Sequence, residues 1–322
     1  MTSIAAVIIG RNEGARLEAC LASLGQDFER VIYVDSGSTD GSVDLAKNAG
    51  AHVVALDTTI PFTAARARNA GIEALKSDAT PNLVQFLDGD CTLVETWVRE
   101  AITFLAKHPK VAVVCGRRRE RFPENSVYNR LCDAEWNTRI GEATACGGDA
   151  LVRWDALEAV GGYNTNLIAG EEPEMCLRMR RAGWTIWRLD AEMTLHDAAM
   201  TRFGQFWKRA KRGGYAYAQA AAMYGNGPER HGVTGTRRAL FWGLALPLVT
   251  LLGALIFGAW VFGLLLIYPI QICRMALRAG GGRFGWEQAV LLTVGKFAEA
   301  SGVLTYHWRR LRGHQADLIE YK

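Results

Sequence analysis

The chain has 322 residues, enough for one large domain and an appendage, and its net charge of +4 is too small to mark the whole of it as a polyanion binder. Its 49% of hydrophobic residues are unevenly spread: short apolar runs with polar punctuation fill the first two thirds, and the chain from about Ala239 is far greasier. Arg202, Lys208, Arg209, Lys211, Arg212, Arg230, Arg237 and Arg238 stand against Glu229 alone just before that stretch, which points to anionic lipid and away from nucleic acid.

Ile4 to Gly10 reads as a buried strand, and its apolar run IAAVII is too short for a signal peptide. A helix over Glu13 to Leu24 and a strand over Arg30 to Val34 follow. The turn-rich DSGSTDGS then lets Asp40 cap a helix from about Gly41 to Ala49. His52 to Leu56 is a strand, Ala64 to Leu75 a helix, Leu83 to Leu87 a strand, Thr96 to Lys107 a helix and Val111 to Cys115 a strand. Such alternation predicts an α/β domain with a mostly parallel, Rossmann-like sheet covered by helices on both faces. Its ligands bind beyond the carboxyl ends of the strands, where Asp35 and Asp88 fall. Further on, Ala150 to Val160 and Pro173 to Ala182 read as helices and Ile186 to Leu189 as an edge strand. Thr201 to Tyr224 reads as a long amphipathic helix interrupted at Gly213-Gly214. The seven cysteines are scattered without zinc-ligand spacing, as reduced cytosolic thiols are.

Asp88-Gly89-Asp90 directly follows a strand. Two carboxylates one residue apart can share a hard divalent cation, Mg²⁺ or Mn²⁺, with substrate phosphates. Taken alone the triplet reads as a solvated acidic loop; Asp35 at the neighbouring strand end crowds a third acid onto the same edge, and crowded carboxylates call for a cation. In GEEPEMCLRMRRAG, Pro173 suits a first helical turn and sets Glu171 and Glu172 at the helix N-terminus, where the dipole favours ionised carboxylates. Such a carboxylate either caps the helix or serves as a general base.

These segments together resemble the family 2 glycosyltransferases, over roughly Ser3 to His196. VIIGRNEGARLEACLASL is similar to that family's opening strand and first helix, and VDSGSTDGS to its second-strand motif. The resemblance implies a GT-A-type fold, a nucleotide-diphosphate sugar as donor, taken here as UDP-linked, and Mn²⁺ or Mg²⁺ as cofactor. Asp35 would contact the base, with Asp40 further along the loop, and ARARNAGI would bring Arg68 and Asn69 to the nucleotide. Within LDGD, Asp88 would approach the ribose and phosphates and Asp90 the metal. GGDALVRWDALEAVGGYN would set Gly147, Gly148 and Asp149 beside the donor sugar. EEPEMCLRMRRAGW resembles the pattern Glu-Asp-x-Glu-Leu-x-x-Arg, whose second position carries the base; here it is Glu172, longer than the usual aspartate, with Glu171 and Glu174 as alternatives. His196 stands where many GT-A enzymes supply another metal ligand. The Gln-x-x-Arg-Trp motif of processive synthases is replaced by the unlike QFWKRAKR, so the implied reaction is inverting transfer of a single sugar.

The expected organisation is a catalytic domain over residues 1–200, a basic amphipathic linker helix over 201–238, a membrane hairpin or re-entrant pair over 239–272 turning near Gly258, and an interfacial helix (Ala289 to Tyr306) with a basic cytoplasmic tail over 273–322. The acceptor is then a lipid-linked saccharide held at the cytoplasmic face of the inner membrane, in contact with membrane lipid. The rival readings are a polyprenyl-phosphate sugar synthase, which needs no base for a hydroxyl, and a catalytically silent membrane partner of a transferase complex. A dinucleotide oxidoreductase is discounted, since no GxGxxG follows the first strand.

Overall fold

The computed structural model describes residues 2–77 and 80–313. The chain forms two compact units: Met1–Pro123, Cys132–Asn166 and Glu171–Ala199 in one, Glu124–Leu131, Leu167–Gly170 and Met200–Lys322 in the other.

The first unit is built on β1 (Ile4–Gly10), α1 (Ala15–Ala22), β2 (Arg30–Asp35), α2 (Ser42–Asn48), β3 (His52–Ala55), α3 (Ala64–Lys76), β4 (Leu83–Asp88), β5 (Cys91–Leu93), α4 (Trp97–Lys107) and β6 (Val111–Glu120). It continues with the C-terminal part of α5 (Val127–Trp136), β7 (Gly141–Ala143), β8 (Ala150–Arg153), α6 (Trp154–Ala159), α7 (Glu171–Arg181) and β9 (Thr185–His196). The strands lie in the order β3-β2-β1-β4-β8-β6-β9-β5, with β7 on β9. Strands β1 to β4, β6 and β9 share one direction, while β5, β7 and β8 run against it.

Central strands are buried on both faces, which explains the unbroken apolar run of β1, where Ala6, Val7 and Ile8 are wholly inaccessible. Helix α3 crosses β1 so closely that a Cβ on Gly71 would stand 2.3 Å from Val7 Cγ1. Gln85, buried in β4, is matched by the indole N–H of Trp97, which donates to its Oε1 at 2.9 Å. Paired in this way, the two polar groups avoid the cost of leaving a buried group unsatisfied.

Three expectations change here. Ala150 to Arg153 is a strand, and the helix begins only at Trp154. Its ALVR sequence pairs with both β4 and β6, and that pairing outweighs the helical pattern of the following residues. The predicted edge strand is the first third of a 12-residue strand, β9, paired with β5, β6 and β7. Strand β6 runs past Cys115 through the charged residues Arg117, Arg118 and Arg119, because β9 supplies partners as far as His196.

In the second unit, α8 (Phe203–Tyr224) is continuous through Gly213 and Gly214. The predicted interruption is instead a site of close approach to α12 (Arg283–Leu311): a Cβ on Gly214 would stand 2.0 Å from the carbonyl oxygen of Glu299, and one on Gly302 would stand 2.0 Å from that of Lys211. Between them, α9 (Val233–Leu240), a π turn (Phe241–Ala245) and α10 (Leu246–Phe257) make one 25-residue helix. Pro247 has no N–H for Gly243, and the wider π turn absorbs the mismatch. Gly258, at φ +98°, turns the chain into a 3₁₀ segment (Ala259–Leu266) continued by α11 (Ile267–Arg278). The two arms return antiparallel, with Val261 against Gly253 and the Tyr268 hydroxyl donating to the carbonyl of Trp242. Both arms are long and apolar enough to cross a membrane. Helix α12 packs along α8 and α9, and the predicted tail from His314 lies outside the described residues.

Candidate active site

The β1 register sets the first two acids level: Gly10 pairs with Asp35 and Ile9 with Asp88, at the carboxyl ends of adjacent strands. Asp35 is buried and accepts from the N–H groups of Gly37 and Ser38, both at 2.9 Å, and from the Tyr33 hydroxyl at 3.2 Å. Its carboxylate thereby shapes the turn after β2.

Arg68, 2% exposed on α3, ties three carboxylates together. Its Nη2 donates to Asp88 Oδ1 at 2.9 Å, and its Nη1 reaches Glu171 Oε1 at 2.9 Å and Glu172 Oε1 at 2.8 Å. One cation among three acids leaves a surplus of negative charge. Burial first, then the charge of Glu171, push the Glu172 carboxyl up from 4.5 to about 7, against the pull of Arg68. The expectation of full ionisation from the helix N-terminus is thus revised: near neutral pH this group exchanges its proton.

The other members of the predicted set divide. Asn69 accepts from Tyr163 N–H at 2.9 Å and donates to Tyr163 C=O at 2.7 Å, so its amide holds a main-chain turn. Glu174 is buried and grips Arg178 through both oxygens, at 2.7 to 3.1 Å. Arg178 in turn holds the carbonyls of Val160 and Gly162. Gly148 lies at the centre: a Cβ there would meet Arg68 Nη2 at 2.7 Å and Asp88 Oδ2 at 3.0 Å, while Gly147 lies against Arg118. Asp149, wholly buried, accepts from Asp88 N–H at 3.2 Å and Thr194 Oγ1 at 2.8 Å.

Antiparallel pairing of β5 with β9 puts Cys91 opposite His196 and brings the imidazole to Asp90, with Nε2 3.1 Å from Oδ1. Burial and the charge of Arg118 push the histidine down to about 4, so it is neutral, as a metal ligand must be. Its Nδ1 is buried without a partner among the described residues. Ligand atoms of Asp90, Cys91 and His196 lie within 4.8 Å of one another. The carboxylate and neutral imidazole fit a divalent cation; the buried Cys91 thiol, whose pKa burial raises well above its usual value, stays protonated and is a poor ligand.

Residues 5–152 match the model of Glycosyl transferase family 2, and residues 83–280, more than half of the chain, match that of Glycosyl transferase family group 2. The chain is a family 2 glycosyltransferase.

Its relatives agree. The glycosyltransferase AglE of Haloferax volcanii is 25% identical over 67% of this chain and 73% of its own. The succinoglycan biosynthesis protein ExoA of Rhizobium meliloti is 26% identical over 64% and 67%. Among solved structures, the mannosyltransferase PcManGT from Pyrobaculum calidifontis, in complex with GDP-Man and Mn²⁺, superposes over 95% of this chain and 87% of its own, with a TM-score of 0.66 and 19% identity. S. aureus TarS 1–349 covers 97% and 92% at a TM-score of 0.50 and 15% identity. These likenesses establish the GT-A fold.

Sequence reasoning missed two residues of this glycosyltransferase. Arg118 donates through Nε to Asp149 Oδ2 at 2.9 Å, and the Trp136 ring lies 5.5 Å from its guanidinium and 4.7 Å from the His196 ring. Neither belongs to a segment that carries the resemblance.

Proposed function

We propose that the enzyme transfers one sugar, with inversion, from a nucleotide-diphosphate donor to a hydroxyl of a membrane-held saccharide in polysaccharide or glycoconjugate biosynthesis. The observation that carries the reading is Glu172: a carboxylate at the start of α7, joined through Arg68 to Asp88, with a proton affinity near neutrality. A general base works best when its pKa lies near the operating pH. Glu174 is committed to Arg178 and Glu171 is the more buried of the remaining pair, which favours Glu172 among the three.

Asp90 and His196 would hold Mn²⁺ or Mg²⁺, which offsets charge on the departing diphosphate when bound. Asp88 stands beside that centre, and Gly148 leaves room above it for the donor. UDP is the preferred nucleotide of this reading, and GDP is its competitor, since PcManGT was solved with GDP-Man. The lipid-linked acceptor rests on chain order, because the basic stretch and the two apolar arms follow the catalytic unit directly.

Glu172→Gln keeps the shape of the side chain and removes its basicity. Turnover should fall about a hundredfold or more, while donor affinity in the presence of Mn²⁺ stays within about twofold. Full turnover by Glu172→Gln, with loss in Glu171→Gln, would move the base to Glu171.

A further inference from the structure

We propose that Arg118 is the donor-binding residue that receives the β-phosphate of the nucleotide and stabilises it as the leaving group; this rests on the glycosyltransferase reading of the site. Two guanidinium groups border Gly147 and Gly148, and they are differently spent. Arg68 already bonds Asp88, Glu171 and Glu172. Among the described residues Arg118 has one carboxylate partner, Asp149, and its Nη2 is buried with no acceptor.

A buried N–H without an acceptor is costly, and native structures keep few of them. This one is held by design of the surrounding chain. Arg118 pairs with Thr194 across β6 and β9, Thr194 donates to Asp149, and Asp149 accepts from both Arg118 Nε and the Asp88 N–H. The guanidinium is thus oriented by the same carboxylate that fixes the metal-motif backbone. Glycine at 148 keeps the space beside Nη2 open, since a Cβ there would stand 3.3 Å from it.

His196 gives the second reference point. Its Nδ1 is also buried without a partner among the described residues, and the half-buried Trp136 ring lies against both it and Arg118. A ligand that meets Asp90–His196 through a cation and Arg118 through a hydrogen bond must present anionic oxygen to both. A diphosphate does. Trp136 ends α5, and the exposed residues 137–140 follow it.

In the transfer step the bond between the anomeric carbon and the β-phosphate oxygen breaks, and its electron pair leaves with the phosphate. The acceptor oxygen bonds the same carbon, and its proton passes to Glu172. Arg118 offsets the charge gained by the β-phosphate, as charge-assisted hydrogen bonds do most strongly.

The test compares nucleoside diphosphate with monophosphate. Full-length protein in detergent with Mn²⁺ is titrated calorimetrically with UDP and UMP, and in parallel with GDP and GMP. Wild type should prefer the diphosphate of its nucleotide. Arg118→Lys and Arg118→Met should each lose about tenfold or more in diphosphate affinity while monophosphate affinity stays within about twofold. Retained monophosphate binding shows that the variant site has folded. Equal loss for both ligands would make Arg118 a purely structural partner of Asp149, and no loss would remove it from the site; either result overturns the proposal. Wild type that binds no nucleotide would instead sink the donor-site reading beneath it.

Discussion

Glu172 shares Arg68 with two other carboxylates, and that company sets its chemistry. Its pKa of about 7 makes the acid limb of the rate profile a direct readout. The base must be deprotonated, so turnover should rise tenfold per pH unit below about 7 and level off above it. The stability effect has the opposite sign. A carboxyl raised above its unfolded value of 4.5 gives full stability below that value, and the contribution is lost as pH climbs through about 7. Thermal unfolding of Glu172→Gln across that window should show a weaker pH dependence than wild type. At the metal motif, Asp90→Ala removes the carboxylate that His196 approaches. Metal-dependent transfer should fall at least about a hundredfold with the melting temperature little changed, and activity that survives both the substitution and EDTA would exclude a metal role. The positions of the acids at strand ends were legible because a short apolar run marks a buried strand and its end, although Asp35 also holds the turn after β2. Asn69 and Glu174 were read as site residues from the same motifs, yet their side chains are taken by Tyr163 and Arg178, partners no spacing discloses. Arg118 was invisible for the converse reason: a run of arginines reads as the end of a strand, and only the pairing with β9 carries it inward.

At the scale of elements, apolar periodicity recovered β1 to β4 and the helices α1 to α4 to within about two residues at each end, since each is a local pattern. It failed at β8, whose four residues become a strand only because β4 and β6 lie on either side. It failed again at β9, where polar and apolar residues mix along a strand that pairs with three others. The glycines of α8 were misread because composition does not say whether a glycine breaks a helix or admits a neighbour. Here Gly214 and Gly302 admit each other's helix, so Gly214→Val should force α8 and α12 apart. Such overpacking costs about 1–3 kcal/mol or more. The melting temperature should drop by several degrees, whereas Gly213→Ala, which meets nothing within 4 Å, should be neutral or slightly stabilising.

For the whole molecule, the apolar arms decide behaviour. Leu255, Ile256 and Trp260 are 77, 73 and 76% exposed near the Gly258 turn, a concentration of apolar surface that water does not tolerate on a monomer. The protein should therefore sediment with membranes, resist carbonate and high salt, and yield to detergent. Release by carbonate alone would show that the arms are not embedded. Deletion of residues 246–272 should abolish sedimentation if the arms, rather than the basic stretch before them, hold the protein there.

The placement of β9 also governs how the protein is made. Strands β1 to β4 form a contiguous parallel set within the first 88 residues, but β5, β6 and β7 all find their β9 partner only once synthesis has reached His196. Domains fold N-terminal first as the chain emerges. A nascent chain stalled before that point exposes unpaired strand edges, the template for aggregation. One carried past it has its catalytic sheet complete before the first apolar arm, beginning at Val233, has been synthesised. Sheet closure and membrane insertion are thereby separated in time by the order of the chain itself.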